Sequence, residues 1–346
     1  MGDLEATLEE LTRVMDAHRR ALAQPTGGAE GDGATSAPPP ESARKPTQGD
    51  DPTPAVDSPR AAALSSLMAA VQARIGLKAL DTVSGKLERA LSTLDDAAVT
   101  AWVERMLSLS VDHAEWVALA ESLTVHESYL FRDPQQLEAI RHWLGDQVRG
   151  MKRRGEARSL RLWSAGCAAG EEVYTLALLG FAVLQAEGAA IDSANDGWLA
   201  LPNWGLDVLG TDLSRAVLKT AETGIYNTGR LSAFRDLPAA YERFFGPGPV
   251  RSTRMVRADV RRVVRFRPAN LLAPAPERGF DVVACRNVLI YMDAASRQTV
   301  LRHLIGALRP GGLLALGPTD VLAEPAGVTA LGGSAVGLFR KGGGDG

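Results

Sequence analysis

The sequence predicts an α/β chain in which a doubly wound, mostly parallel sheet follows an all-helical domain. Two observations carry this. From Ala61 to about Leu123 apolar residues return every three or four positions, whereas after Arg158 short apolar runs of strand character alternate with amphipathic stretches of helical period. Alternation of that second kind builds parallel strands joined by helices that cover both faces of a sheet.

The elements follow in order. In residues 1–23, Leu4, Leu8, Leu11, Val14, Met15 and Leu22 fall near helical spacing, with Glu5, Glu9 and Glu10 early and Arg19 and Arg20 late, as a helix dipole favours. This amphipathic helix reads either as a solvated extension or as a docking element for a partner. Residues 24–60 are dense in Pro, Gly, Ser and Asp and carry no apolar period, so they cannot offset the entropy of ordering and are expected to be a disordered linker. Residues 61–124 hold LSSLMAAVQARIGL, GKLERALSTL, AAVTAWVERMLSL and HAEWVALAESL, a small domain of about four helices punctuated by Gly76 and Gly85. Residues 125–158 form a polar strip and a linking helix. Residues 159–346 begin with the strand SLRLWSAG, the helix EEVYTLALLGFAVLQAEG, the strand WGLDVLGTDL and the helix SRAVLKTAETG. The strands RRVVRFRP and GFDVVACRN, the helix AASRQTVLRHLIGALRPGG and the strands LLALGP and AVGLFRK complete them.

Composition excludes several classes. A net charge of −3 gives no bulk attraction to nucleic acid or anionic membrane, so no nucleic-acid partner is expected. Apolar runs such as Leu313 to Gly317 fall far short of the roughly 20 residues a bilayer requires. The start, MGDLEATLEELTRVMD, has neither a basic region nor an apolar core of a secretory signal. A cytoplasmic location without membrane insertion is expected. Cys167 and Cys285 lie far apart, and His18, His113, His126, His142 and His303 show no ligand spacing, so neither a disulfide framework nor a metal site is expected.

Ligands of open α/β sheets bind beyond the carboxyl ends of the strands, which singles out four places. RLWSAGCAAGEE, residues 161–172, offers Gly166 and Gly170 for close backbone approach and Glu171 and Glu172 at the helix start. Asp212 ends the second strand, Asn270 follows RVVRFRP, and Arg286 and Asn287 follow DVVAC. A diphosphate wants bare N–H groups and positive potential at a helix N-terminus, and two carboxylates would repel it. They suit a cofactor whose polar parts are hydroxyls, an ammonium and a sulfonium, namely S-adenosylmethionine. The same acids would equally cap a helix dipole; Asp212 and Asn270 at neighbouring strand ends add weight to the cofactor reading.

Three strings then connect the chain to a family. HESYLFRDPQQ (residues 126–136), SAGCAAGEEVYT (164–175) and CRNVLIYMD (285–293) resemble the signatures NET-x-FFR, SAGCATGEEPYS and CRNVLIYF of the chemoreceptor glutamate methyltransferases, the CheR family. The resemblance runs from about Ala61 to Lys341. It implies a helical N-terminal domain followed by a Rossmann-like S-adenosylmethionine-dependent methyltransferase domain, with a small β-subdomain inserted at about residues 244–266. It implies S-adenosylmethionine as methyl donor, S-adenosylhomocysteine as product and no metal. The implied reaction forms methyl esters on glutamates of methyl-accepting chemoreceptors, whose cytoplasmic helices would be the partners. By the same resemblance His126, Ser128 and Arg132 fall on the cofactor and catalytic strip. Gly166, Glu172 with Glu171 beside it, Asp212, Asn270, Leu271, Arg286 and Asn287 fall on cofactor positions, and Tyr291 on the active-site tyrosine. Arg132 and Tyr291 are the expected catalytic residues. Taken without the motif, Arg132 reads as an ion-pair partner of Asp133 and Tyr291 as a core aromatic.

The chain departs from the family pattern at His126, Ser128 and Leu130, where Asn, Thr and Phe are usual; Ser128 retains the hydroxyl. The loop 188–205 is longer than usual and is expected to be a surface excursion at the helix-to-strand end of the sheet, away from the cofactor. The segment GLKALDTVSGKLERAL, where relatives carry a basic docking helix, is nearly neutral, with Lys78, Lys86 and Arg89 against Asp81 and Glu88. Two other functions stand beside this one: a cofactor-binding regulatory or scaffold module with little catalysis, and methylation of a small molecule or RNA, the low net charge arguing against RNA.

Overall fold

The computed structural model describes residues 58–78, 81–123, 128–155, 158–192, 199–201, 203–229, 232–320, 326–332 and 337–343. The helix expected at 1–23, residues 24–57 of the expected linker, His126 and the middle of the 188–205 loop lie outside the described residues. The four helices read between 61 and 124 are present as α1 (Pro59–Ile75), α2 (Asp81–Ala90), α3 (Asp96–Ser108) and α4 (Ala114–Leu123). Two compact units divide the chain, one running to Leu67 and resuming at Gly85–Ser108, the other made of Met68–Ser84 and Leu109–Gly346.

In the first unit Leu67, Leu87, Leu91, Val99, Trp102 and Met106 are buried, each at helical spacing within its own segment. Helix ends leave carbonyls without partners. Here Arg60 serves two of them, its Nη1 donating to Leu94 O at 2.9 Å and its Nη2 to Leu91 O at 2.9 Å.

The second unit is organised by a seven-stranded sheet. It contains β1 (Ser159–Ala165), β4 (Gly205–Asp212), β8 (Val264–Pro268), β9 (Phe280–Cys285), β10 (Leu308–Leu316), β11 (Val328–Ala330) and β12 (Leu338–Lys341) in the order β11-β12-β10-β9-β1-β4-β8. Five strands run parallel, and β12 pairs antiparallel with both β10 and β11. Along each central strand the side chains alternate between two cores. Leu160 and Leu162 of β1, Val282 and Ala284 of β9, and Leu313 and Ala315 of β10 share one with helices α5 (Pro134–Arg154) and α6 (Glu171–Ala186). Trp163, Val283, Cys285, Leu314 and Leu316 share the other with Val300 and Leu304 of a C-terminal helix, Ala294–Ala307. Burial on both faces explains why these strands read as continuous apolar runs.

Insertions decorate this frame. Between α6 and β4, β2 (Ile191–Asp192) and β3 (Leu199–Ala200) pair antiparallel. A three-stranded antiparallel sheet is formed by β5 (Ile225–Asn227), β6 (Phe245–Pro247) and β7 (Thr253–Val256), in the order β5-β7-β6. It begins upstream of the 244–266 stretch, while Val264–Pro268 belongs to the large sheet. Between β4 and the small sheet lies α7 (Arg215–Thr223), capped by Ser214, whose hydroxyl accepts from Val217 N at 3.2 Å. Among the described residues no helix is long and apolar enough to cross a membrane.

Helix α6 lies close on β4 at Gly210, where a Cβ would come within 2.6 Å of Val173 Cγ2 and 2.8 Å of Phe266 Cδ1. Gly210→Ala must therefore push the helix or the Phe266 ring aside. It is expected to destabilise the protein by about 1–3 kcal/mol, read as a lower urea midpoint at unchanged slope.

Candidate active site

The strand order places β4 and β8 on one side of β1, and β9 and β10 on the other. Such a reversal opens a crevice at the carboxyl ends of the strands. A cavity of ≈ 140 Å³ occupies it, lined by Ser128, Arg132, Gly166, Glu172, Asp212, Asn270, Leu271, Arg286, Asn287 and Tyr291. Segments about 160 residues apart in sequence thus meet at one place. Of the other candidates, His126 is outside the described residues and Glu171 does not line the cavity.

The turn after β1 is fixed by backbone bonds. Gly166 N and Cys167 N both donate to Thr211 O, at 2.8 and 2.9 Å, which clips the turn onto the end of β4. Gly166 sits at φ 79°, and a Cβ there would lie 2.7 Å from Val288 Cγ2, so the position requires glycine. Ala168 also takes a positive φ, 47°. Its N–H donates to Asp212 Oδ2 at 2.9 Å, while Asp212 Oδ1 accepts from Ser214 N at 2.9 Å. Asp212 therefore organises two turns while facing the cavity.

Glu171 and Glu172 part company one residue into the helix, because successive helical side chains point about 100° apart. Glu172 faces the cavity, with Oε1 accepting from Ser164 Oγ at 2.7 Å and Oε2 from Arg286 Nη1 at 3.1 Å. The Arg286 side chain is 3% exposed, and its Nη2 donates to Asp133 Oδ2 at 2.8 Å and to the Arg132 carbonyl. Two carboxylates and a carbonyl thus surround one guanidinium. Glu172 is an ion-paired acid, and the Glu172–Arg286–Asp133 cluster retains one net negative charge. Glu171 is buried, and burial pushes its carboxyl up to about 7 although the Ser128 hydroxyl and Arg235 act in the opposite direction.

Asn270 spends its amide on the protein: Nδ2 donates to Arg74 O at 2.7 Å and Oδ1 accepts from Leu272 N at 3.0 Å. This secures the end of α1, and Ile75 and Leu77 beyond it line the cavity. On the opposite lip Asn287 takes φ 61°, and its N–H donates to Asp320, a buried carboxylate that also accepts from Ile290 N at 2.9 Å and Gly317 N at 3.1 Å. Asp320 thereby holds the short 3₁₀ turn Leu289–Tyr291 that presents Tyr291. The sequence analysis missed Asp320 although it follows LLALGP, and the strand-end rule would have found it. It also missed Ile75 and Leu77, apolar residues with no motif of their own.

Comparison with known proteins accords with this geometry. The family described as "CheR methyltransferase, SAM binding domain" matches residues 126–334. The chain belongs to the CheR methyltransferase family. It is 35% identical over 207 residues to chemotaxis protein methyltransferase 1 of Pseudomonas aeruginosa, covering 59% of this chain and 69% of that one. It is 31% identical over 247 residues to the chemotaxis protein methyltransferase of Escherichia coli, covering 69% of this chain and 76% of that one. An uncharacterized 104.1 kDa protein of Rhodobacter capsulatus is 30% identical over 244 residues, which cover 70% of this chain but only 23% of that protein.

The cavity of this CheR-family chain suits S-adenosylmethionine. Asn287 Oδ1 is a buried acceptor that has no partner among the described residues, and Asn287 lines the cavity. Asp212 can accept from hydroxyls through its remaining lone pairs. Ile75, Leu77, Leu271, Val288 and Met292 supply an apolar surface for a purine ring.

Glu171 gives a test of this electrostatic picture. Its carboxyl titrates near 7 in the folded protein against an ordinary value of 4.5, so the folded state retains a proton that the unfolded chain releases. Its contribution therefore favours folding least at high pH, falling as pH rises from about 4.5 to about 7 and levelling above. Glu171→Gln is expected to remove that slope and to raise stability at pH 8 by about 3 kcal/mol relative to the unaltered protein, measured by urea unfolding at pH 5 and pH 8.

Proposed function

We propose that this protein transfers a methyl group from S-adenosylmethionine to glutamate side chains on the cytoplasmic helices of methyl-accepting chemoreceptors, forming glutamate methyl esters. The observation that carries this reading is the gathering of Asp212, Asn287 and the Glu172–Arg286 pair with Arg132 and Tyr291 around one cleft. The relatives named chemotaxis protein methyltransferases support methylation in chemotaxis.

When bound, S-adenosylmethionine supplies a methyl carbon attached to a positively charged sulfur. The acceptor glutamate has an ordinary pKa of about 4.3 and is anionic at neutral pH, so no residue of the chain need remove a proton. A carboxylate oxygen forms the new bond to carbon as the carbon–sulfur bond breaks, its electron pair going to sulfur. The work of the protein is alignment and exclusion of water, and alignment alone can contribute about 7–11 kcal/mol at best. Asp212 and Asn287 anchor the donor in this reading. Arg132 receives the acceptor carboxylate. Tyr291 shapes the approach, on a turn held from two sides: Lys78 N donates to Tyr291 O at 2.8 Å and Lys78 Nζ to Ile290 O at 3.0 Å, while Asp320 grips the other side. Opposite charges neutralise each other as the bond forms, so a dry cleft accelerates the step.

Incubating the protein with tritiated S-adenosylmethionine and receptor-bearing membranes should yield methyl groups released by alkali. Uptake of the donor without transfer would instead identify a binding module, and base-stable products a different acceptor. Within the active protein the roles should separate. Asp212→Ala is expected to weaken S-adenosylhomocysteine binding by roughly 10- to 100-fold in calorimetry, and Arg132→Ala to lower kcat by a similar factor with less effect on that affinity.

A further inference from the structure

Tyr129 lines the cleft, and it precedes Leu130, Phe131 and Arg132 in the strip that carries Ser128. Two cations lie on its ring. The Arg235 guanidinium carbon is 3.7 Å from the ring centroid and that of Arg132 is 5.7 Å from it. A guanidinium stacked on an aromatic face gains the attraction of the ring while its N–H edge stays available, which an ammonium does not reproduce.

Arg235 arrives from the excursion between β5 and β6, the same segment that reaches the strip twice more. Leu130 N donates to Ala233 O at 2.9 Å, and the rings of Phe131 and Tyr241 stand 4.4 Å apart between centroids. Beneath, Phe131 N donates to Thr175 Oγ1 at 3.1 Å, which ties the strip to α6. The strip is strained as well as pinned, with Phe131 at φ 60° and Asp133 at φ 58°. Its backbone is therefore fixed by bonds that do not involve Arg235. Beside those bonds, the Tyr129 side chain is held by its stack with Arg235, and the Arg132 guanidinium packs against the same ring.

We propose that Arg235 is a positioning residue for the methyl acceptor: by stacking on Tyr129 it holds that ring, and through the ring the Arg132 guanidinium, in the direction that receives a carboxylate. This rests on the reading of Arg132 as the group that meets the acceptor. It adds that the segment joining the strands of the small sheet contributes to acceptor selection in the cleft, and that Tyr129 is the intermediary. Charges facing Arg235 include Glu171, whose carboxyl it stabilises as the anion, and Arg132 across the ring.

The test uses the full chain, tritiated S-adenosylmethionine and receptor-bearing membranes, with calorimetry of S-adenosylhomocysteine binding beside it. Arg235→Gln and Tyr129→Leu are each expected to lower kcat/KM for the receptor by roughly 3- to 30-fold, with affinity for S-adenosylhomocysteine changed less than about 3-fold. The double variant should be no worse than the poorer single one, because both remove the same contact. Arg235→Lys should recover part of the loss, and Tyr129→Phe, which keeps the ring, should retain more turnover than Tyr129→Leu. A thermal melt identifies any variant that fails to fold, in which case the Arg235→Lys and Tyr129→Phe comparisons decide. Unchanged transfer in Arg235→Gln, losses that add in the double variant, or an equal loss of S-adenosylhomocysteine affinity would overturn the inference. No transfer by the unaltered protein would overturn the proposed reaction, and the inference with it.

Discussion

The guanidinium of Arg286 is the point at which three parts of the second unit are joined. It leaves the end of β9, meets Glu172 at the start of α6 and reaches Asp133 and the Arg132 carbonyl in the strip before α5. A buried cation is costly unless its N–H groups are satisfied, and here both terminal nitrogens meet acceptors, while Nε has none among the described residues. Removing the cation would leave Glu172 and Asp133 without the guanidinium they share. The positive φ of Phe131 needs such external hold, since a bulky side chain disfavours that conformation, whereas Asp133 adopts it more readily.

A second theme is the use of carboxylates as scaffolds for backbone. Asp212 and Asp320 each gather N–H groups from turns at the ends of strands, and each turn displays a cleft residue. Charge that the sequence suggests is offered to a ligand is thus largely engaged within the protein. The acid pair at the opening of α6 divides into a buried carboxyl and an ion-paired one. In the proposed function, attraction for a cationic donor accordingly rests on Asp212 and on the Arg286 cluster rather than on two bare glutamates.

Much of this was legible beforehand because it follows from periodicity. Alternation of period two and period 3.6 gave the order of helices and strands, and the rule that ligands sit past strand ends gave Asp212, Asn270, Arg286 and Asn287 their place at one cleft. The distinction between Glu171 and Glu172 was not legible, because it depends on the rotational phase of α6 against the sheet. Asn270 was legible as a cleft residue but not as a tether for Arg74, a contact between residues nearly 200 positions apart. The first strand of the small sheet, Ile225–Asn227, is three residues long and has no alternation to betray it; only pairing with Thr253–Val256 makes it a strand. Of the final hairpin the sequence showed β12, as AVGLFRK, whereas β11 escaped for the same reason, since Val328–Ala330 gains its order from its neighbour.

The tether from Asn270 to Arg74 has a practical consequence. The matched family domain starts at residue 126, yet Ile75 and Leu77 form part of the cavity wall, and Leu77 bridges to Met292 beside Tyr291. Cutting the chain at the domain boundary would strip away that wall, bare the apolar floor around Leu271 and Leu272, and release the tyrosine turn from Lys78. A fragment that begins upstream of Arg74 is therefore expected to keep the cleft wall, whereas one that begins at the matched domain boundary is expected to lose it.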